Sequence, residues 1–446
     1  MIQLMTNIQV TQYIQSLRSG VDEIRNSKTF DKIFIYFWLT GPFIYLIERS
    51  PSDIWLTTLG LMFLYRSYKI NDWKWSKQPW FVFAILLWIT GLLSAIQGPM
   101  PAFSFGQGFV WIRFPLYAVA IQMWLGQNKD IRVLMLTIMT ISLLIISFIL
   151  FAEVLLEPPK NRLMWPYGDV IPGSFIAKAC LPVFCTLILL TFHKSIKIMI
   201  FTLVILLLGL LALKYTGERS NLILVTCTLI TSIIFYKFSI KKFFIVSLLT
   251  IIIGFTLINY LPSFTKRCAL NYTNENCLNQ KGQHVNIFDQ IPIINFDNSY
   301  WGAWRGGIQQ GLEKPILGIG PSGTRHTCGY LKNHWLPGEN FCGNHPHNFY
   351  IQLFAEVGLI GLFFGSGMIF YIIKCCYVIR KYYPENYMIS TAFVVPLGIF
   401  FPLQHYGSFY GQWGNLFMWF AIGFALSQSN ITLKKEKNKS TNDNKI

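Results

Sequence analysis

The stretch His345–Gly361, HPHNFYIQLFAEVGLIG, joins a long polar segment to an apolar run that continues to about Lys374. Pro346 suits the first position of a helix, where its missing N–H costs nothing and its φ is preset. On that reading His345, His347 and Asn348 crowd the entrance of a helix. Asn348, Gln352 and Glu356 follow at intervals of four and line one of its faces. The run is long and apolar enough to cross a bilayer, so three polar groups on one stripe must face other protein or a wet cavity. The partial positive charge at a helix N-terminus disfavours imidazolium, which keeps His347 neutral and able to accept a proton.

Outward from this corner the chain stays apolar. Of 446 residues 53% are hydrophobic and 13% charged, which excludes a soluble fold of this length. It predicts an all-α, polytopic membrane protein. About twelve spans are expected, near 33–48, 53–66, 79–96, 108–125, 132–152, 174–192, 197–213, 220–236, 243–261, 347–374, 388–404 and 411–427. The plan is a cytoplasmic N-terminal arm at 1–32, partly helical along the membrane surface, and nine spans within 33–261. A large outer loop follows at 262–346, then three spans within 347–427 and a Lys- and Asn-rich cytoplasmic tail at 428–446. The polar first 30 residues show no cleavable signal peptide, so the first span serves as an uncleaved anchor. With the N-terminus in the cytoplasm, most Lys and Arg residues fall on the cytoplasmic side. The net charge of +17 is therefore mostly topology, and a nucleic-acid partner is not expected.

The outer loop is too long for a plain connector. Within it, 298–313 has helical spacing, with Trp301, Trp304, Ile308 and Leu312 on one side and Lys314–Pro315 as its end. The following Gly318-Ile-Gly-Pro-Ser-Gly323 matches GxGxxG. No strand precedes it, so it reads as a tight turn rather than a dinucleotide site. Cys268, Cys277, Cys328 and Cys342 make an even count in an oxidising compartment, so one or two disulfides are expected. The rival, a zinc site drawn from His326, Cys328, Cys342, His345 and His347, has the right residue types at a spacing that fits no standard pattern. Asn271-Tyr-Thr273 would be a glycosylation sequon only in a eukaryotic host. Cys180, Cys185, Cys227, Cys375 and Cys376 lie in or beside spans and read as packing residues.

Three cations sit within or beside spans at their outer ends: Arg113 in WIRFPLY, Lys178 in GSFIAKAC and Arg219 in TGERSNL. Each lies within about 10 Å of the surface at 1.5 Å per residue, and each alone could snorkel. Together, with Arg305 in the loop above, they suggest a shared anion site, since arginine matches phosphate oxygens two at a time and stays charged.

HPHNFYIQLFAEVGLIG after a long outer loop resembles the O-antigen ligase and O-antigen polymerase superfamily of bacterial envelope proteins. GERSNLIL, SYWGAWRGGIQQGLEKPILGIGPSG and PLQHYGSFYGQWGN are similar to further segments of that family, and the resemblance extends from about 105 to 427. It implies a C-type membrane glycosyltransferase fold in the bacterial inner membrane, with the large loop and active site periplasmic. It implies an inverting, metal-independent enzyme without a cofactor, using an undecaprenyl-diphosphate-linked glycan as donor. His347, which directly precedes Asn348, would be the family's histidine and deprotonate the acceptor hydroxyl. Arg219, helped by Arg113, Lys178 and Arg305, would hold the diphosphate and stabilise its leaving charge. His345, Asn348 and Glu356 would be supporting residues. Gln404 and His405 suit a site role and a plain hydrogen bond to a neighbouring loop equally.

A ligase transferring the glycan to a lipid A–core acceptor is the leading expectation, because one large outer loop sits late, directly before the histidine helix. A polymerase joining one such glycan to another shares the same features. A protein-glycosylating ligase is a third possibility. A lipid-linked sugar flippase is the rival from another class, but it needs polar groups toward both faces, and here the intramembrane charges gather on one.

Overall fold

The computed structural model describes residues 2–157, 162–192, 195–236, 299–327, 345–380, 382–383, 386–404 and 407–430. Among them regular structure is helical, with no strand. Among the described residues five helices are long and apolar enough to cross a membrane: Pro79–Gln97, Pro101–Leu125, Lys129–Leu156, Ile196–Tyr215 and Phe349–Arg380. A sixth span is possible from Pro172–Ala179 and Leu181–Leu190, bent by 56°. The other described apolar segments form shorter or interrupted helices, such as Arg219–Phe235 and the pair Tyr387–Ala392 and Val394–Ile399. The expected span at 243–261 lies outside the described residues. So do the four loop cysteines with their disulfide and zinc readings, His405, and most of the outer loop and tail.

Local chemistry explains the helix ends. Proline opens Pro79–Gln97 and Pro101–Trp111, where no N–H is needed. Asn128 caps Lys129–Leu156 by accepting from the Asp130 and Ile131 amides. Asn71, in the left-handed conformation, closes Arg49–Ile70. The Gln412–Ser427 helix is apolar on all sides, and from Asn415 to Ser427 every residue is buried, as expected of the central element of a bundle. Around its N-terminal half Tyr45, Trp55, Phe175, Phe417 and Phe420 meet in edge-to-face and tilted pairs. The Phe349–Arg380 helix packs along Pro79–Gln97.

The N-terminal segment is helical and packs on another helix. Its Ile2–Asn26 helix lies along Lys129–Leu156: Ser19 Oγ donates to Asp130 at 2.8 Å, and the Tyr13 hydroxyl meets Thr137 Oγ1 at 2.6 Å. From residue 19 to 13 the contacts climb about 10 Å along the partner helix.

Candidate active site at the histidine corner

The helix that follows the histidines starts later than the proline suggests. Its first residue is Phe349, and Asn348 is the cap: Asn348 Oδ1 accepts from the Tyr350 and Ile351 amides at 3.0 and 3.2 Å. His347 lies before the cap with φ +58°, and Pro346 lies outside the helix. The left-handed backbone at His347 turns the chain so that the His345 and His347 rings meet edge to face at 4.2 Å.

The polar stripe does face protein. Asn348 Nδ2 donates to the Pro402 carbonyl at 2.7 Å. Gln352 donates to Ser408 Oγ at 3.1 Å and accepts from the Phe409 amide at 2.8 Å. Both therefore bind the chain before the Gln412–Ser427 helix. Glu356, fully buried, accepts from Thr324 Oγ1 at 2.7 Å and Gln352 Nε2 at 3.1 Å, and from the Ser322 and Thr324 amides. Asn348 and Glu356 thus fasten the corner to its neighbours.

The outer-loop segment docks into this helix. At Gly358 the backbone leaves helical geometry, with φ +68° and ψ −169°. The groups released there pair with the Pro315–Gly320 segment. The Ile319 and Gly320 amides donate to the Ala355 and Glu356 carbonyls at 3.0 and 2.9 Å, and the Leu359 and Ile360 amides donate to the Pro315 and Ile316 carbonyls at 2.8 and 3.3 Å. Ser94 Oγ, on Pro79–Gln97, joins the same junction by donating to the Glu356 carbonyl at 2.6 Å and accepting from the Gly320 amide at 3.0 Å. The GxGxxG match is thus a turn moulded to a broken helix, a form that irregular backbone can take at membrane depth when protein satisfies it.

The preceding Ser299–Glu313 helix packs on the histidine helix through small residues. A Cβ at Gly307 would lie 2.6 Å from Pro346 Cγ, and Gly311 abuts the Phe354 ring. Ile308 and Leu312, on the expected apolar side, stay partly exposed, because the glycines on the adjoining face admit the closer backbone approach. Arg305, two residues before Gly307, thus sits on the helix that touches Pro346.

The four expected cations do not share one environment. Lys178 lies in the π-helical turn Phe175–Ala179, and its charge reaches both His345 and Glu218. Arg219 opens the Arg219–Phe235 helix next to Glu218; its side chain lies outside the described residues. Arg113 is placed differently. Its span begins at Pro101 rather than near 108, so Arg113 is about 18 Å along it and not within 10 Å of its outer end. There it pairs with Asp53 at 2.9 Å. A partly buried pair of this kind is destabilising when one partner is removed and far less so when both are. Asp53→Ala and Arg113→Ala should each lower the melting temperature in detergent, while the double variant regains most of the loss and most of the activity. If Arg113 were needed for the diphosphate, the double variant would stay as inactive as Arg113→Ala.

Two groups join this corner that sequence spacing did not single out. Glu218 is pushed above the usual carboxyl range by burial, opposed by the charges of Lys178 and Arg162 and by hydrogen bonds from Asn221 and Ser174. Arg325, on the turn Thr324–Thr327, acts on His345 with its charge. In the sequence Glu218 was hidden beside Arg219, and Arg325 lay in an undifferentiated loop. Burial and the charges of His347, Arg325 and Lys178 push His345 down to about 3, so its ring is neutral at ordinary pH. Among the described residues no His, Cys, Asp and Glu group could hold a metal ion. Gln404 is buried and donates weakly, at 3.5 Å, to the Ser220 carbonyl, beside the Arg219 segment.

A comparison with curated proteins found no match. A family model does match, over about a third of the chain. The matched stretch holds Arg219, Arg305, both histidines, Asn348 and Glu356, and it excludes Arg113 and Lys178. Residues 203–364 match the family described as O-antigen ligase, and the match supports the resemblance to the O-antigen ligase and polymerase superfamily.

Proposed function

We propose that the chain is an O-antigen ligase of the bacterial inner membrane, working on the periplasmic face, that transfers a glycan from undecaprenyl diphosphate to a lipid A–core acceptor. The family match over 203–364 carries this reading. Lys178 within electrostatic reach of the histidine corner agrees with it. In the reaction His347 takes the proton of the acceptor hydroxyl, whose oxygen attacks the anomeric carbon from the face opposite the leaving group. The bond from that carbon to the phosphate oxygen breaks with inversion, and undecaprenyl diphosphate leaves. Arg219, Lys178 and Arg305 meet its developing charge, which is the largest electrostatic demand of the step. Neither metal nor cofactor takes part, because the cations and the imidazole cover charge stabilisation and proton transfer.

The test is transfer in vitro from purified donor to purified lipid A–core, with a second glycan-bearing lipid as competing acceptor. A ligase extends the core; extension of the lipid-linked glycan instead would make the protein a polymerase. In the same assay Arg219→Ala should abolish transfer. Arg219→Lys should rescue poorly, because an ammonium cannot hold two phosphate oxygens in the plane of a guanidinium. Full activity of Arg219→Ala in well-inserted protein would remove that residue from the site.

A further inference from the structure

We propose that His345 binds a sugar hydroxyl of the substrate rather than its phosphates, which rests on the glycan-transfer reading above and extends it to the carbohydrate. Both ring nitrogens of His345 are out of solvent and have no hydrogen-bond partner among the described residues. Buried polar atoms in folded proteins are nearly always paired, so two such atoms on one ring beside a candidate reaction centre point to a ligand. The identity of that ligand follows from the valence of the ring. A neutral imidazole carries one N–H and one lone pair. The N–H can be met by any oxygen. The lone pair needs a group that brings a hydrogen, and an ionised diphosphate has none to give. Carbohydrate hydroxyls both donate and accept.

The surroundings hold the ring in that neutral form. Burial, with Lys178, Arg325 and the neighbouring His347, opposes a second proton, so His345 cannot serve as a fourth cation for the diphosphate. The edge-to-face contact with His347 at 4.2 Å sets the hydroxyl-binding ring directly beside the proposed base. A sugar held by His345 would therefore have its reacting end beside His347, whether it belongs to the donor or to the acceptor.

Binding separates the alternatives. The probes are undecaprenyl diphosphate, the same lipid bearing its glycan, and lipid A–core, each titrated into detergent-solubilised full-length protein. His345→Phe keeps a flat ring against His347 and removes both nitrogens. It should leave the affinity for bare undecaprenyl diphosphate unchanged and weaken one sugar-bearing probe by about ten-fold, the usual order for orphaning a buried hydrogen-bonding group. Loss confined to the glycan-bearing donor assigns the hydroxyl to the donor, and loss confined to lipid A–core assigns it to the acceptor. His345→Gln, which retains one donor and one acceptor, should recover most of the affinity. If His345→Phe does not fold, His345→Leu carries the same comparison. Equal weakening of the bare and glycan-bearing lipids, with His345→Gln intact, would assign the ring to phosphate and overturn the proposal. Unchanged affinity for all three probes would overturn it as well while leaving the donor reading standing. Failure of the wild-type protein to bind either undecaprenyl lipid would bring down the donor reading and this inference together.

Discussion

His347→Asn should lower transfer by about 10²–10⁴-fold, the usual contribution of a general base, with the protein inserted and folded as before. Asparagine is a cleaner replacement than alanine here. His347 sits at φ +58°, in the left-handed region that asparagine enters readily and alanine enters at a cost of roughly 1–2 kcal/mol. His347→Ala therefore mixes backbone strain with loss of the imidazole, whereas His347→Asn removes the imidazole almost alone. The competing view of His347 as a structural helix cap makes the opposite prediction, since asparagine is also a good cap. The cap position is held by Asn348, whose side chain already receives the Tyr350 and Ile351 amides. Asn348→Ala should therefore cost about 1 kcal/mol of stability with a smaller effect on turnover per folded molecule. The deciding measurement is turnover with purified donor at equal membrane levels. Near-normal transfer by His347→Asn would exclude base catalysis by this residue.

The sequence revealed the corner better than it revealed the scaffold. HPHN followed by an apolar run located the helix within two residues of its observed start, and the four-residue repeat of Asn348, Gln352 and Glu356 implied that they face protein or a wet cavity, of which the structure shows protein. Pro346 misplaced the start because proline fits a pre-helical turn as well as a first helical position. The observed start depends on the backbone at His347, which no local pattern announces. The helix that carries Arg113 was read as starting too late for a related reason. PAFSFGQGF, before WIRFPLY, has too many small and polar residues to count as an apolar run, yet packing against Pro79–Gln97 makes it helical from Pro101. Tertiary contact overrode local propensity there. The docking of the Pro315–Gly320 turn into a broken helix was beyond reach of any reading of periodicity. The helix looked regular alone, and only its pairing with the turn explains why EVGLIG holds a glycine at 358.

That junction yields the largest structural prediction. Gly358→Ala should prevent the outer-loop segment from docking, with a loss of melting temperature and at least a ten-fold loss of transfer. The backbone at φ +68° and ψ −169° lies in a region populated essentially by glycine alone, and forcing another residue there costs about 1–3 kcal/mol. An added Cβ would also collide with the Ile316 carbonyl, which belongs to the backbone of the turn and cannot swing away as a side chain tip can. Relief requires either the helix or the turn to move. Either movement breaks the bonds of the Ile319, Gly320, Leu359 and Ile360 amides. Each buried group left unpaired costs roughly 1–3 kcal/mol, so the strain and the lost pairing together exceed what a marginally stable element can absorb. The effect on transfer follows from connectivity. The turn leads directly into Thr324 and Arg325, which meet Glu356 and act on His345, so undocking withdraws a cation and a clamp from the histidine corner at once. Leu359→Ala is the control: it changes the next residue, which is more than half exposed, without touching the special backbone, and should behave as wild type. Wild-type melting and transfer by Gly358→Ala would mean that the break in the helix is dispensable.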